Sequence, residues 1–319
     1  MIAQVAEIIR YHNSFLVTSH ANPDGDAVGC LLGCGQLLRQ MGKEVTLYGP
    51  SGIPELFRFL NLTDAVEPHI DTKKFYDVSL VFDTADPKLL GDEFPNDGRQ
   101  GTVVVVDHHL RFKEYGDVIW RDANASAAGV LLFRLAKELG VEGDRHLGEA
   151  LWCALYTDTG GFRYSSTNDE ALYIAGELLS WGVDPWQMAL SLYESNPAGR
   201  VRLLAKVLST LEISSNGKVA LILAPKRFLE EEGMDPSMLD TFINYARGIK
   251  GVEVALQISE RKGGWKASLR SKGKVDVSEL ASRHGGGGHR NAAGCFIEGE
   301  ISTIKATLLK EAEELTQNL

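Results

Sequence analysis

Val78–Phe82 and Thr102–Val106 are apolar at nearly every position, and that continuity limits the fold more than any other feature of the chain. A strand with one wet face alternates apolar and polar residues. An unbroken apolar run of this length is a strand covered on both faces, which a parallel sheet between helical layers provides. Phe15-Leu16-Val17-Thr18 and Glu44–Tyr48 are further β-rich runs. Between and after these runs the periodicity turns helical, over Asp26–Met41, Ser126–Gly140, Leu147–Thr157, Glu170–Trp181 and Pro185–Tyr193. Such alternation predicts an α/β domain over residues 1–190, with a mostly parallel sheet flanked by helices.

The pattern breaks at Glu194-Ser195-Asn196-Pro197 and resumes in an amphipathic helix, Arg200–Leu211, so residues 191–210 read as a connecting helix. Residues 211–319 read as a smaller α+β domain. Its predicted strands are Lys218–Leu223, Gly251–Ser259 and Trp265–Arg270, with a hairpin turn at Lys262-Gly263-Gly264. Its predicted helices are Pro236–Tyr245, Val277–His284 and Ser302–Thr316.

Composition narrows the function. The 319 residues carry a net charge of −10, which argues against a broad footprint on long nucleic acid. An anionic substrate would instead need a local positive centre, and bound metal ions provide one on an acidic protein. Cys30, Cys34, Cys153 and Cys295 form no Cys-x-x-Cys pair, and Cys30 and Cys34 sit in an apolar stretch where core packing is the expected role. No run is long enough to span a bilayer and no secretory signal is visible, so a cytoplasmic protein with no membrane partner is expected.

Ionisable residues gather just after the predicted strands. His20-Ala21-Asn22-Pro23-Asp24-Gly25-Asp26 follows the first, Asp83 follows Val78–Phe82, and Asp107-His108-His109 follows Thr102–Val106. Asp158 closes the predicted helix Leu147–Thr157. Each group alone has a plain reading: a helix-capping turn for Asp24, another cap for Asp83, a surface pair for His108 and His109. Together they fall on one edge of a parallel sheet, where ligands of such folds collect. Packed carboxylates repel, and a multivalent cation is the usual remedy. Imidazole and carboxylate donors without thiolate suit Mn²⁺ better than a closed structural zinc site.

These four groups resemble the motifs of the DHH phosphoesterase superfamily. Gly285-Gly286-Gly287-Gly288-His289-Arg290-Asn291-Ala292-Ala293-Gly294 resembles the glycine-rich signature of the DHHA1 domain. The chain length and this ending are most similar to the bacterial bifunctional oligoribonuclease and pAp phosphatase group, the nanoRNase A type. The resemblance implies two Mn²⁺ ions, one held by His20, Asp24 and Asp83, the other by Asp26, Asp83, His108 and Asp158. His109 would face the scissile phosphate, Asp107 would orient an imidazole, and water activated between the ions would attack phosphorus in line. In the DHHA1 domain, Gly286, Gly287 and Gly288 would let a phosphate approach backbone N–H groups, with His289, Arg270 and Ser271 completing the grip.

The same resemblance places the active site in the cleft between the two domains. It implies hydrolysis of very short RNA oligonucleotides, dinucleotides above all, and of the 3′-phosphate of pAp, with a homodimer left open. Rival readings are a phosphodiesterase for linear products of cyclic dinucleotides, a RecJ-like exonuclease and an inorganic pyrophosphatase. A non-catalytic nucleotide-binding regulator is the rival from another class.

Overall fold

The computed structural model describes residues 1–71, 73–110, 112–317 and 319, with the side chain of His289 outside the description. The chain divides into two compact units, Met1–Ser195 and Asn196–Leu319. Among the described residues, no helix is long and apolar enough to cross a membrane.

The first unit is built on a sheet of six strands: β1 (Ser14–Thr18), β2 (Glu44–Tyr48), β3 (Val66–Glu67), β4 (Val78–Phe82), β5 (Thr102–Asp107) and β6 (Val118–Arg121). Every pairing is parallel, and the spatial order is β3-β2-β1-β4-β5-β6. Strand β4 is buried at all five positions, as its continuous apolar run requires. Helices α1 (Ile2–Tyr11), α2 (Gly25–Gln40), α3 (Ala128–Leu139), α4 (Arg145–Asp158), α5 (Asp169–Ser180) and α6 (Pro185–Ala189) complete the unit. Helix α6 runs into a π-helical turn at Leu190–Glu194, so the single predicted helix over Pro185–Tyr193 changes hydrogen-bond pattern midway. Helix α1, β3 and β6 were not read from the sequence: β3 is two residues long and β6 four, too short for a periodicity to register.

One packing contact sets how closely two helix ends approach each other. Gly25, Gly29 and Gly33 recur every four residues and line one face of α2 against α4. A Cβ at Gly29 would sit 2.4 Å from the Ala150 carbonyl oxygen, and one at Gly25 would sit 2.4 Å from Thr157 Oγ1. The two backbones touch where side chains would normally separate them. This close approach brings the first turn of α2 beside the last turn of α4.

The second unit carries a mixed sheet in the order β11-β12-β10-β9-β8-β7. Its strands are β7 (Glu212–Ile213), β8 (Val219–Ala224), β9 (Val254–Arg261), β10 (Gly264–Ser271), β11 (Gly287–His289) and β12 (Ala292–Ile297). Its helices are α7 (Ala198–Leu208), α8 (Lys226–Glu232), α9 (Ile243–Arg247), α10 (Val277–Arg283) and α11 (Ile301–Thr316). One apolar cluster joins α10 and α11 to one face of the sheet. Another joins α7 and α9 to part of the opposite face. The helix expected over Pro236–Tyr245 is broken into a 3-10 turn at Pro236–Leu239 and the short α9, because Thr241 adopts a left-handed φ of 73° between them. The glycine run is no linker: Gly287–His289 pairs antiparallel with β12. A Cβ at Gly288 would lie 2.5 Å from the Ala292 carbonyl oxygen, so only glycine permits that hairpin.

Candidate active site

The strand order reverses direction between β1 and β4, the switch point where open α/β sheets form a crevice beyond their carboxyl ends. His20 follows β1 there, and Asp83 follows β4 immediately. Asp83 holds a left-handed φ of 51°, a conformation that costs a non-glycine residue of order 1–3 kcal/mol and persists mainly at functional sites.

Three groups of potential ligand atoms, each mutually within 4.8 Å, meet at this edge: His20 with Asp24 and Asp83, Asp26 with His108 and Asp158, and Asp83 with His108 and His109. Asp83 and His108 each belong to two groups. His108 Nε2 lies 3.5 Å from Asp26, 3.6 Å from Asp83 and 3.4 Å from Asp158, and His20 Nε2 lies 3.8 Å from Asp83. The six residues that the motifs suggested as metal ligands therefore converge, and His109 stands closer to them than a role confined to phosphate required.

Each side chain is held by its local structure. Asp24 caps α2, one carboxylate oxygen accepting from the Asp26 and Ala27 amides, so the capping reading holds alongside its place in the cluster. Asp26 is buried and accepts from Ala128 N at 2.6 Å and Gly129 N at 2.9 Å, the first amides of α3. Those two backbone donors carry no side-chain signal, and sequence reasoning missed them. Asp158 ends α4, where the helix dipole disfavours a carboxylate. His20 Nδ1 meets the Ala21 carbonyl at 2.9 Å and His108 Nδ1 meets the Ala125 carbonyl at 3.1 Å. A carbonyl only accepts, so Nδ1 donates a proton in both rings and Nε2 is the atom turned to the cluster. Asp107 is fully buried, and its Oδ1 accepts from His109 Nδ1 at 2.8 Å. The imidazole that Asp107 orients is thus that of His109.

The electrostatics identify what the cluster lacks. Burial pushes the carboxyls of Asp83 and Asp158 well above the ordinary range, with Asp26 adding repulsion to both. Burial likewise raises Asp26, against the lowering pull of His108. For His108, burial favours the neutral ring, but Asp26 and Asp158 outweigh it and raise its pKa. Among the described residues, Asp83 Oδ1, Asp107 Oδ2 and the buried Ser19 hydroxyl have no hydrogen-bond partner. Orphaned carboxylate oxygens and mutual repulsion in one pocket of oxygen and imidazole donors fit a hard divalent cation.

The suggested substrate residues all lie in the second unit. Arg270 is half-buried on β10, opposite Ala292 of β12, and Gly287 pairs with Gly294 beside them. Gly287 faces open space, so its backbone is approachable. Ser271 does not join this group. It is buried, and its hydroxyl donates to the Val275 carbonyl at 2.7 Å, because strand alternation turns it away from Arg270. Of the His289 side chain nothing is described.

A parallel sheet in this order, with nested imidazole and carboxylate groups at its switch point, defines an enzyme of the metal-assisted phosphoester-hydrolysing class. The family model for the DHH family, N-terminal domain, matches residues 14–156, and that for the DHHA1 domain matches residues 216–318. The bifunctional oligoribonuclease and PAP phosphatase NrnA of Thermus thermophilus is 30% identical over 98% of this chain and 94% of its own length. The protein of the same description in Bacillus subtilis is 28% identical over 98% of this chain and 100% of its own. The crystal structure of an exopolyphosphatase-related protein from Bacteroides fragilis superposes with a TM-score of 0.90 at 25% identity, covering 99% of this chain and 97% of that one. The chain belongs to the DHH/DHHA1 phosphoesterase family, and it is a phosphodiesterase or phosphatase enzyme.

Proposed function

We propose that this protein is a cytoplasmic, Mn²⁺-dependent enzyme that hydrolyses very short RNA oligonucleotides, dinucleotides by preference, and also removes the 3′-phosphate of pAp. The observation that carries this reading is the sharing of Asp83 between the His20–Asp24 group and the His108–His109 group, with the Asp26–His108–Asp158 group alongside. Such nesting suits two ions: His20, Asp24 and Asp83 would hold the first, and Asp26, Asp83, His108 and Asp158 would hold the second. Bound there, two divalent cations supply charge neutralisation at phosphorus and acidify water. The chain's own residues do the rest. Two α3 amides stop Asp26 from swinging, carbonyls fix the His20 and His108 tautomers, and Asp107 holds His109 to meet a non-bridging phosphate oxygen. Residues 1–190 act as the DHH domain, 191–210 as the connector, and 211–319 as the DHHA1 domain, where Arg270 and the backbone at Gly286, Gly287 and Gly288, with His289, take a phosphate. Relatives described as oligoribonuclease and PAP phosphatase along nearly their whole length support this substrate class. Four buried free cysteines are compatible with a reducing compartment.

A substrate panel tests the reading: RNA from two to about twenty nucleotides, pAp and a linear cyclic-dinucleotide product, each with Mn²⁺, Mg²⁺ and chelator. The expected order is dinucleotides first, pAp turned over, and no activity in chelator. Equal or better kcat/KM on long RNA would reject the reading.

A further inference from the structure

Lys and Arg number 33 against 43 Asp and Glu along the chain, yet the stretches 241–252, 261–275 and 280–297 hold ten Lys and Arg and no Asp or Glu. The fold of the second unit brings parts of these stretches together. Strand β10 pairs with β12, and α9 packs against the same sheet. One end of this surface, around Arg270 and the glycine hairpin, belongs to the substrate residues already described. The other end shares Gly286 with that group, and its remaining residues have no role assigned above.

At that outer end lies an open cavity of about 570 Å³, lined by Arg261, Lys266, Gly286, Gly294, Cys295 and Phe296. Lys266 sits directly opposite Phe296 across the β10–β12 pair, so the two share a face. Lys266 and Arg270 also share that face, four residues apart on β10, which is about 13 Å along a strand. Phe296 is 47% exposed, so its ring is open to a ligand. Its ring leans across the sheet onto Gly264: a Cβ there would come within 2.9 Å of Phe296 Cζ. The ring is thereby supported from beneath by a residue without a side chain. Asp240 lies within electrostatic range of Lys266, Arg270, Arg261 and Arg200, and Asp235 also acts on Arg261, so cations outnumber carboxylates here by four to two.

We infer that Arg261, Lys266 and Phe296 form a further nucleotide subsite, which takes the next phosphodiester and base of an oligonucleotide whose terminal unit is held near Arg270. Cations serve the phosphate, and the supported ring offers its π-face to any base, the combination used to bind single strands without sequence preference. The inference rests on the proposed oligoribonuclease activity and explains how substrates longer than a dinucleotide are kept within range.

The test compares kcat/KM for a diribonucleotide and a tetraribonucleotide in wild type, Phe296→Ala, Phe296→Leu, Phe296→Tyr and the double variant Arg261→Ala/Lys266→Ala. The tetranucleotide value should fall roughly tenfold in Phe296→Ala and Phe296→Leu, with Phe296→Tyr restoring it and the dinucleotide value unchanged within about twofold. The double variant should flatten the salt dependence of the tetranucleotide reaction by about 0.7 per lost phosphate contact. Equal losses on both lengths, or none on either, would overturn the subsite. Binding of a fluorescent pentaribonucleotide in chelator separates the two readings. If wild type hydrolyses no RNA yet binds the probe about tenfold better than Phe296→Ala, the activity assignment falls and the subsite stands. Unaltered binding in the variant would overturn the subsite.

Discussion

Asp83→Asn separates the cost of the cluster without metal from its gain with metal. In the metal-free protein, Asp83 is buried among Asp26, Asp24, Asp158 and Asp107, and its carboxyl is raised well above the ordinary range. A carboxyl raised on folding destabilises the native state once pH exceeds its unfolded value, near 3.9, and the penalty grows with pH until the folded group also ionises. Asparagine removes that penalty and tolerates the left-handed backbone at this position. The metal-free variant should therefore melt at or above the wild-type temperature at neutral pH, with the difference shrinking as the solution is acidified. Metal reverses the order. An ion at one hundred times its Kd stabilises by about 2.7 kcal/mol, which for a unit of this size is about 5–11 °C in Tm. The substituted amide has no carboxylate to bridge two ions, so the metal-dependent rise should shrink to about 2 °C or less in Asp83→Asn, and turnover should be lost. Tryptophan fluorescence suits the assay, since Trp120, Trp152, Trp181 and Trp186 all lie in the first unit. Melting curves with chelator and with saturating Mn²⁺ give both shifts from one sample. A full metal-dependent rise in Asp83→Asn would refute the shared-ligand reasoning.

Two further substitutions probe the surroundings. His109→Ala should retain metal, as measured on the purified protein, while losing on the order of 10²–10³ in rate through one missing phosphate donor; metal loss like that in Asp83→Asn would make His109 a ligand, as its distance to Asp83 permits. Gly29→Ala forces a methyl group to within 2.4 Å of the Ala150 carbonyl oxygen, so it should cost about 1–3 kcal/mol in chemical unfolding and weaken metal binding by parting Asp26 from Asp158. Unchanged metal affinity in a destabilised Gly29→Ala would show that the α2–α4 contact does not set the site.

Much of this was legible in the sequence because the signals are local. A short apolar run such as Val103–Val106 with β-branched side chains suits a covered strand, and a ligand placed after each run reaches the same sheet edge once the strands are parallel. Residue type then restricts the chemistry, since no thiolate stands among those groups. The short strands β3 and β6 escaped because two to four residues carry too little periodicity to register. The break at Thr241 escaped because one left-handed residue leaves no compositional trace.

Only the tertiary structure decided how the groups face one another. The α2–α4 contact exists because three glycines meet a helix that happens to lie opposite, which no local pattern in α2 announces. Asp26 is anchored by amides of Ala128 and Gly129, more than a hundred residues away, and a backbone donor has the same chemistry in every residue but proline. Asp107 serves His109 rather than His108, a choice made by the turn after β5. Arg261, Lys266 and Arg270 are separated in the chain and come to share one face only when β9, β10 and β12 pair. Local chemistry along the chain determines which groups are available, whereas distances, protonation and orphaned oxygens arise from burial, and burial is a property of the packed whole.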